Sequence, residues 1–291
     1  MGRLFKSFFF KLSRDLTFRI ILIIGAGLAF LMTGLFLLID LGLGAYGDTV
    51  KFLTGPNMLI SAFNPVDNFG LAIPICLITF VCLEFSQGTI RNKIIAGHSK
   101  FKIYSALVLN GLVLAFSLLF VYAGLCTLLG TIFGGFDLDN PIINMSSLSA
   151  MMGGGYADGW YIAQMLITAA VVYASIVSFT VFIAALFRNV GPCIPVVIII
   201  LMMLAMGGTL ITVVGDLLEN DALITFVEIV DPLYVISGGG LETNIILEND
   251  VQKPYMVVET GAFVATIINN LVYAAGFFVG GAFIFMKRDV K

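Results

Sequence analysis

Charged residues are scarce in this chain of 291 residues. Lys, Arg, Asp and Glu make up 11% of it and hydrophobic residues 59%, whereas a soluble domain has about 25% charged residues. Together with a mean hydropathy of +1.05, this excludes an ordinary soluble globular protein. The composition predicts a chain whose main solvent is lipid.

The residues that build catalytic and metal sites are also few. The one histidine, His98, lies in a polar segment between apolar runs, so no Ser/His pair and no His-Glu metal site can form within a membrane. The cysteines have no metal-ligand spacing and lie in or beside apolar runs, which favours buried small hydrophobic residues: Cys76, Cys82, Cys126 and Cys193. No GxxxxGKS phosphate loop is present, so any ATP must be handled by another polypeptide. We therefore predict no catalytic, cofactor-binding or metal-binding residue.

Six apolar segments meet or approach the roughly 20 residues that a helix needs to cross a bilayer. They are residues 17–39, 68–83, 103–133, 161–187, 191–214 and 261–286. The second is short and contains Pro74, while Pro192 and Pro195 lie in the first turns of the fifth, where proline is tolerated best. Only Arg188 and Asn189 separate the fourth and fifth, which predicts a tight hairpin. The predicted fold is an all-α polytopic membrane protein with six transmembrane helices in a single domain, residues 1–291.

The two signs of charge are segregated between the segments that connect these spans. Both tails and the loops after the second and fourth spans hold 13 of the 15 Lys and Arg residues, and the other three loops hold 15 of the 18 Asp and Glu residues. The positive-inside rule then predicts that both termini are cytoplasmic. The three acidic loops, residues 40–67, 134–160 and 215–260, would lie outside, and each could hold one or two short helices.

The largest of these loops, residues 215–260, contains an apolar stretch, NDALITFVEIVDPLYVI, that is too short to span and is broken at Asp231 and Pro232. It is interpreted either as one or two helices that lie in or dip into the outer interface, or as a loop that packs on the spans.

Residues 1–18 predict an interfacial helix ahead of the first span. An apolar, largely aromatic face opposes a basic face, which suits a helix on the inner leaflet, whose lipids are anionic. The residues predicted to contact the membrane interface are Arg3, Phe5, Phe8, Phe9, Lys11 and Leu12. The alternative is a membrane-targeting tail with no further role, but the position flush against the first span favours a structural elbow.

The middles of the six spans contain no Asp, Glu, Lys, Arg or His, which disfavours a proton-coupled or charge-coupled carrier. Gln164, Asn269 and Asn270 are the notable polar residues there, and interhelical hydrogen bonding is their ordinary role.

The most informative segment is the predicted cytoplasmic loop of residues 84–102, which joins the second and third spans. It begins with Glu84, turns at Gln87-Gly88-Thr89, and continues as a short basic helix, IRNKIIA. Residues 97–100, Gly-His-Ser-Lys, form a second turn. Topology alone would explain four cations here, but a helix framed by two glycine turns close to the membrane also suits docking of a soluble partner.

This pattern resembles the permease subunits of type-2 ATP-binding-cassette (ABC) exporters. The shared features are an acidic residue at the end of the second span, a Gly-Thr, a basic residue, and a Gly followed by a basic residue three positions on. The elbow helix of that family matches Arg3 to Phe18, and its six-span layout matches the whole chain. DPLYVISGG at residues 231–239 is similar to the family's outer re-entrant segment. Sharp residue matching is confined to about residues 84–100.

The resemblance implies that the loop between the second and third spans docks in a groove on an ATPase subunit. The residues implied in that contact are Glu84, Gln87, Gly88, Thr89, Arg91, Asn92, Lys93, Gly97, His98 and Lys100. It also implies that ATP and Mg bind to the partner ATPase, that this chain is not itself catalytic, and that a second permease copy or a paralogue completes the transporter. Lipid is the remaining partner, nucleic acid is not one, and the location is a bacterial cell membrane.

In this interpretation the cargo path lies between two permeases, lined by their first, second and fifth spans. The absence of charge at mid-depth favours an amphipathic or hydrophobic cargo, such as a drug or an antimicrobial peptide. Two other classes stay open: an ATP-independent carrier or channel, and a non-transporting sensor or scaffold subunit.

Overall fold

Long apolar runs form the frame of the molecule. The computed structural model describes residues 10, 14, 16–44, 53–63, 71–136, 138, 159–218, 220–236, 240–248 and 251–287. Its helices are α1 (Leu16–Gly44), α2 (Gly55–Phe63), α3 (Ala72–Ser86), α4 (Thr89–Ile95), α5 (Lys100–Gly134), α6 (Gly159–Phe187), α7 (Val190–Leu217), α8 (Asp221–Val230) and α9 (Thr260–Lys287). Two strands, β1 (Leu241–Glu248) and β2 (Val251–Val258), lie between α8 and α9.

Five of the described helices are long and apolar enough to cross a membrane: α1, α5, α6, α7 and α9. They coincide with five of the six predicted spans, whose bounds move by a few residues at most ends. The sixth, predicted at 68–83, is the 15-residue α3, which forms a span only together with α4 after a bend of 57°. The molecule is therefore predominantly helical and fits a multi-pass membrane protein.

Successive long helices run in opposite directions, so the segments that connect them lie at two ends of the molecule. Basic residues predominate at one end and acidic residues at the other. The "basic end" contains α4, the first turn of α5, Arg188 and Lys287. The "acidic end" contains α2, α8, the β-hairpin and the last turn of α5. The predicted hairpin at the basic end is confirmed, since α6 stops at Phe187 and α7 starts at Val190. Arg188 makes this turn with a positive φ of 58°.

Helix α6 is the most buried of the long helices and contacts α2, α3, α5, α7 and α9. The main core surrounds it and includes all four cysteines, as predicted for small buried hydrophobic residues. A smaller cluster at the acidic end joins α2, the start of α6, the segment after α8, and β2, with Tyr161 and Val235 fully buried in it.

In its described residues, the structure adds to the predicted outer loops an element that the sequence analysis did not predict. The first loop holds α2 and the third holds α8, both as expected for short helices. The third loop also forms an antiparallel hairpin in which Leu241 pairs with Val258 and Glu248 with Val251. Val258 is buried in the acidic-end cluster, so the hairpin packs on the helices by its base.

The predicted elbow residues lie outside the described part of the chain: Arg3, Phe5, Phe8, Phe9, Lys11 and Leu12. Ahead of α1, the structure describes Phe10 and Arg14, both helical, with the Arg14 guanidinium 4.3 Å from the centre of the Phe10 ring.

Candidate functional site

The candidate site is the turn–helix–turn at the basic end, residues 84–100. Helix α3 ends in a turn at Gln87, whose N–H donates to the Leu83 carbonyl at 3.0 Å. Gly88 then takes a left-handed conformation, with φ 66°, and its carbonyl accepts a hydrogen bond from the Asn92 N–H. A side chain at position 88 would meet no neighbouring atom, so the backbone conformation is what favours glycine here.

The second glycine ends α4. The Gly97 N–H donates to the Ile94 carbonyl, and the His98 N–H donates to the Lys93 carbonyl at 3.2 Å. With φ 87° at Gly97, this is the Schellman arrangement that stops a helix at a left-handed residue. The Ser99 hydroxyl oxygen then accepts from the Lys102 N–H and caps the start of α5. Both ends of the seven-residue α4 are therefore fixed by backbone geometry.

A buried ion pair holds the bend between α3 and α4. The Glu84 side chain is fully buried, and its carboxylate accepts from the Lys93 ammonium at 2.8 Å and from the Thr89 hydroxyl at 2.6 Å. The Lys93 side chain is itself only 16% exposed. A buried charge is tolerated when it is paired and hydrogen-bonded. Glu84 on α3 therefore fixes the direction of α4 through two residues of that helix.

Helix α4 is also anchored to the rest of the helical body. Ile90 is completely buried in the main core. The Lys100 ammonium donates to the Met286 carbonyl at 3.1 Å, which joins the start of α5 to the end of α9. Nearby, the Phe285 ring packs edge-on against Phe85 with 5.9 Å between ring centres. These contacts couple the position of α4 to the positions of α3, α5 and α9.

The opposite face of α4 is exposed. Arg91 and Asn92 lie on this face with Gln87 beside them, and the apolar Ile95 has 74% of its surface exposed. An exposed apolar residue among polar and basic ones is a common composition for a protein-contact surface. We call Gln87, Arg91, Asn92 and Ile95 the "α4 surface".

The ten predicted site residues thus lie in one compact unit but have different positions in it. Gln87, Arg91 and Asn92 are on the α4 surface, whereas Glu84, Thr89 and Lys93 form the internal lock. Gly88 and Gly97 make the turns, His98 is half-buried behind the second turn, and Lys100 bonds to α9. Ile95 was missed, although an apolar residue next to the second glycine turn of a basic helix was a usable signal.

A second helix that ends inside the molecule, α8, lies at the acidic end. Helix α8 runs back alongside α7 and ends at Val230. Its last carbonyls, which lack helical partners, are satisfied by α9: Asn269 donates to the carbonyls of Glu228 and Ile229, and the Tyr273 hydroxyl to that of Val230 at 2.9 Å. We call residues 228–236 the "re-entrant turn".

Asn270 completes this arrangement. Its side-chain amide donates to the Pro232 carbonyl at 2.9 Å, and its oxygen accepts from the Ser175 hydroxyl of α6 at 2.7 Å. The predicted interhelical bonding of Asn270 is therefore confirmed, but both asparagines mainly hold the re-entrant turn. The sequence analysis did not predict that role, because it depends on a contact between distant segments.

Contacts with α7 and with α9 each show how far the re-entrant turn lies from the acidic end of these helices. The Asp231 carboxylate packs against Gly208, where an added side chain would clash with it. Gly208 precedes the end of α7 by nine residues, and Asn269 follows the start of α9 by nine residues. At a rise of about 1.5 Å per residue, both place the turn about 14 Å from the acidic end of a spanning helix. This arrangement agrees with the predicted helix that dips inward.

Asp231 is the one buried carboxylate of the described re-entrant turn, and its Oδ1 accepts from the Leu233 N–H at 2.9 Å. Burial raises the pKa of Asp231 to about 6, while the hydrogen bond from Leu233 opposes that increase. Sequence reasoning placed Asp231 in an outer loop, so its carboxylate was not counted among groups at the depth of the spans.

The chain matches no protein-family model, no curated protein and no solved structure.

Proposed function

We propose that this chain is the membrane-spanning permease subunit of an ATP-driven ABC exporter, working with a separate ATPase subunit. The observation that supports the proposal best is the form of α4 at the basic end. It is a short helix with both ends fixed, one exposed mixed face, and a buried ion pair to α3. Such a unit is suited to receive a push from a soluble partner and to pass it to the spans.

The route for that push follows the contacts of α4. Its movement would reach α3 through the Glu84–Lys93 pair, α5 through the Ser99 cap, and α9 through the bond between Lys100 and Met286. Three spans would then move together when two ATPase subunits close. Because the ion pair is buried, it resists being pulled apart more than an exposed pair would.

A cargo path between two permeases is consistent with the arrangement of α1, α3 and α7. Helix α3 contacts both others, and α1 and α7 carry large exposed apolar residues such as Phe30 and Met203. A second copy or a paralogue would face these helices. An amphipathic or hydrophobic cargo, such as a drug or an antimicrobial peptide, suits a path with such walls.

Copurification from membranes of the source organism tests the proposal. The positions of the side chains determine which variants are useful. Lys93 faces inward, so reversing its charge would damage the fold, whereas Arg91 and Ile95 are on the α4 surface. We expect an ATPase to copurify with the wild type and with the charge-reversed control Lys287→Glu, and to be lost from an inserted Arg91→Glu, Ile95→Asp variant. Absence of any ATPase from the wild type would contradict the proposal.

A second candidate, an ATP-independent proton-coupled carrier, is favoured by Asp231 alone. An ionisable carboxyl group at the depth of the spans is typical of proton pathways. Transport by proteoliposomes that contain only this chain, driven by a pH gradient and abolished by Asp231→Asn, would support the carrier. ATP-dependent transport that survives this substitution would support the exporter.

A further inference from the structure

A cavity of about 260 Å³ lies directly beneath the re-entrant turn, on the side away from the acidic end. Helix α6 contributes Ile176 and Phe179, α7 contributes Leu201 and Leu204, and α9 contributes Phe277. Val230 and Pro232 form its ceiling. The cavity therefore sits between three long apolar helices and the re-entrant turn, which enters among them from the acidic end.

The walls of the cavity are almost entirely apolar. Its two polar lining side chains are already bonded, Ser175 to Asn270 and Tyr273 to the Val230 carbonyl. A buried water needs two to four polar partners, and an apolar cavity of about 150 Å³ lined by Leu, Ile and Phe stays dry and binds benzene. A larger cavity with similar walls is therefore suited to hydrocarbon.

The position of the cavity makes a hydrocarbon chain the natural occupant. Ser175 and Ile176 lie near the middle of the 29-residue α6, and Leu204 lies near the middle of the 28-residue α7. The cavity is partly open, and Leu204 at its edge is 36% exposed. In a spanning helix bundle, such an opening at mid-depth faces acyl chains.

We propose that this cavity binds a single hydrocarbon chain, beneath a ceiling that α9 holds in place through Asn270 and Tyr273. The chain comes either from a bilayer phospholipid or from a single-chain amphiphile, such as the lipid moiety of a cargo. This inference does not rest on the exporter assignment, since it depends only on the walls and depth of the cavity.

Tryptophan quenching by brominated acyl chains tests it in the full-length chain. The sequence has a single tryptophan, so Trp160→Phe gives a background without one. Phe179→Trp and Phe277→Trp then report on the cavity from two walls. Phe120→Trp, at a position 67% exposed on α5, is the lipid-facing control. Tyr173→Trp, at a fully buried position on the same helix as Phe179, is the protein-facing control.

The first arm uses bilayers of phosphatidylcholine brominated on its acyl chains. We expect Phe179→Trp, at a position only 9% exposed, to lose most of its intensity, as Phe120→Trp does, while Tyr173→Trp keeps most of its own. The second arm adds a small mole fraction of dibromostearic acid to unbrominated bilayers. Stronger quenching of Phe179→Trp than of Phe120→Trp in this arm would identify a single-chain amphiphile as the occupant.

Quenching of the cavity positions in the first arm alone would identify a phospholipid chain. If Phe179→Trp and Phe277→Trp are quenched no more than Tyr173→Trp in both arms, the cavity does not hold a hydrocarbon chain and the proposal is overturned.

Discussion

The two turns that interrupt helices at opposite ends of the molecule are held by different chemistry. At the basic end, the bend between α3 and α4 is held by a salt bridge between Glu84 and Lys93. At the acidic end, the re-entrant turn is held by the neutral side chains of Asn269, Asn270 and Tyr273, which donate to its carbonyls. One turn uses charge, and the other uses amides and a hydroxyl.

The difference follows from where each turn lies. The bend at Glu84 is at the end of a helix, where the Lys93 side chain keeps 16% of its surface exposed. The re-entrant turn lies about 14 Å inward along α7 and α9, where backbone carbonyls must be satisfied by protein. Neutral donors do so at a lower desolvation cost than charged ones. Asp231 is the exception, and its pKa is raised.

Removing the Glu84 carboxylate at the basic end should have the largest effect on stability. Glu84→Ala leaves the Lys93 ammonium largely buried without its carboxylate, and loss of one partner of a buried pair costs about 3–5 kcal/mol. Unfolding in mixed detergent micelles measures this loss. Glu84→Gln with Lys93→Met removes both charges and should recover most of it. If the double variant is as unstable as Glu84→Ala, the ion pair is not the reason for the loss.

Removing a neutral donor at the acidic end should cost less. Asn270→Ala leaves the part-buried Pro232 carbonyl without this donor, at about 1–3 kcal/mol for such a group left unsatisfied. The Ser175 hydroxyl can still donate to the Val172 carbonyl. The same unfolding measurement applies. Asn269→Ala is the matched control, with a smaller expected loss because Asn269 is only half-buried. Equal losses would show that the re-entrant turn does not depend on the buried amide in particular.

The carboxyl group of the re-entrant turn should make stability depend on pH. Because the pKa of Asp231 is raised from 3.8 to about 6, the folded state holds its proton more tightly than the unfolded state. The stability due to this group is fully present below pH 3.8 and is lost as the pH rises through about 6. We expect a decrease of about 1 kcal/mol between pH 5 and pH 8.

Asp231→Asn is the control for that pH dependence. The amide oxygen can still accept from the Leu233 N–H, but the side chain no longer titrates. The variant should therefore lose the part of the pH dependence that the wild type shows over this range. Identical pH profiles for the two proteins would contradict the assignment to Asp231.

The smallest effect on stability is expected on the α4 surface. Arg91→Glu with Ile95→Asp changes exposed side chains and should alter the free energy of unfolding by no more than about 0.5 kcal/mol per site. The same variant should nevertheless no longer copurify with the proposed ATPase subunit. A large loss of stability would mean that this face is part of the fold and not a free contact surface.

Much of the fold could be predicted because apolar runs and caps are local signals. The bounds of α5, α6 and α9 lie within three residues of the predicted spans. The hairpin of β1 and β2 was missed: β-branched residues on both sides of Asn249 and Asp250 are a weak signal. The second predicted span is short and contains Pro74, and the helix found there, α3, has 15 residues.

The candidate site was predictable as a unit but not in its internal arrangement. Sequence spacing brings Glu84 and Lys93 into the same short segment, but it does not show that Lys93 turns inward while Arg91 turns outward. That choice depends on the left-handed turn at Gly88, which rotates α4 against α3 by 57°. The bonds from Asn269 and Asn270 to the re-entrant turn join residues about 40 positions apart, which periodicity cannot reveal.

Photo-crosslinking at the α4 surface tests the central claim most directly. A benzophenone side chain is introduced at Ile95, and as a control at Phe283, which is 52% exposed near the basic end of α9. After irradiation of membranes from the source organism, the account predicts a crosslink from position 95 to a subunit with nucleotide-binding motifs and none from position 283. A position 95 that crosslinks only to lipid, or to no ATPase, would contradict it.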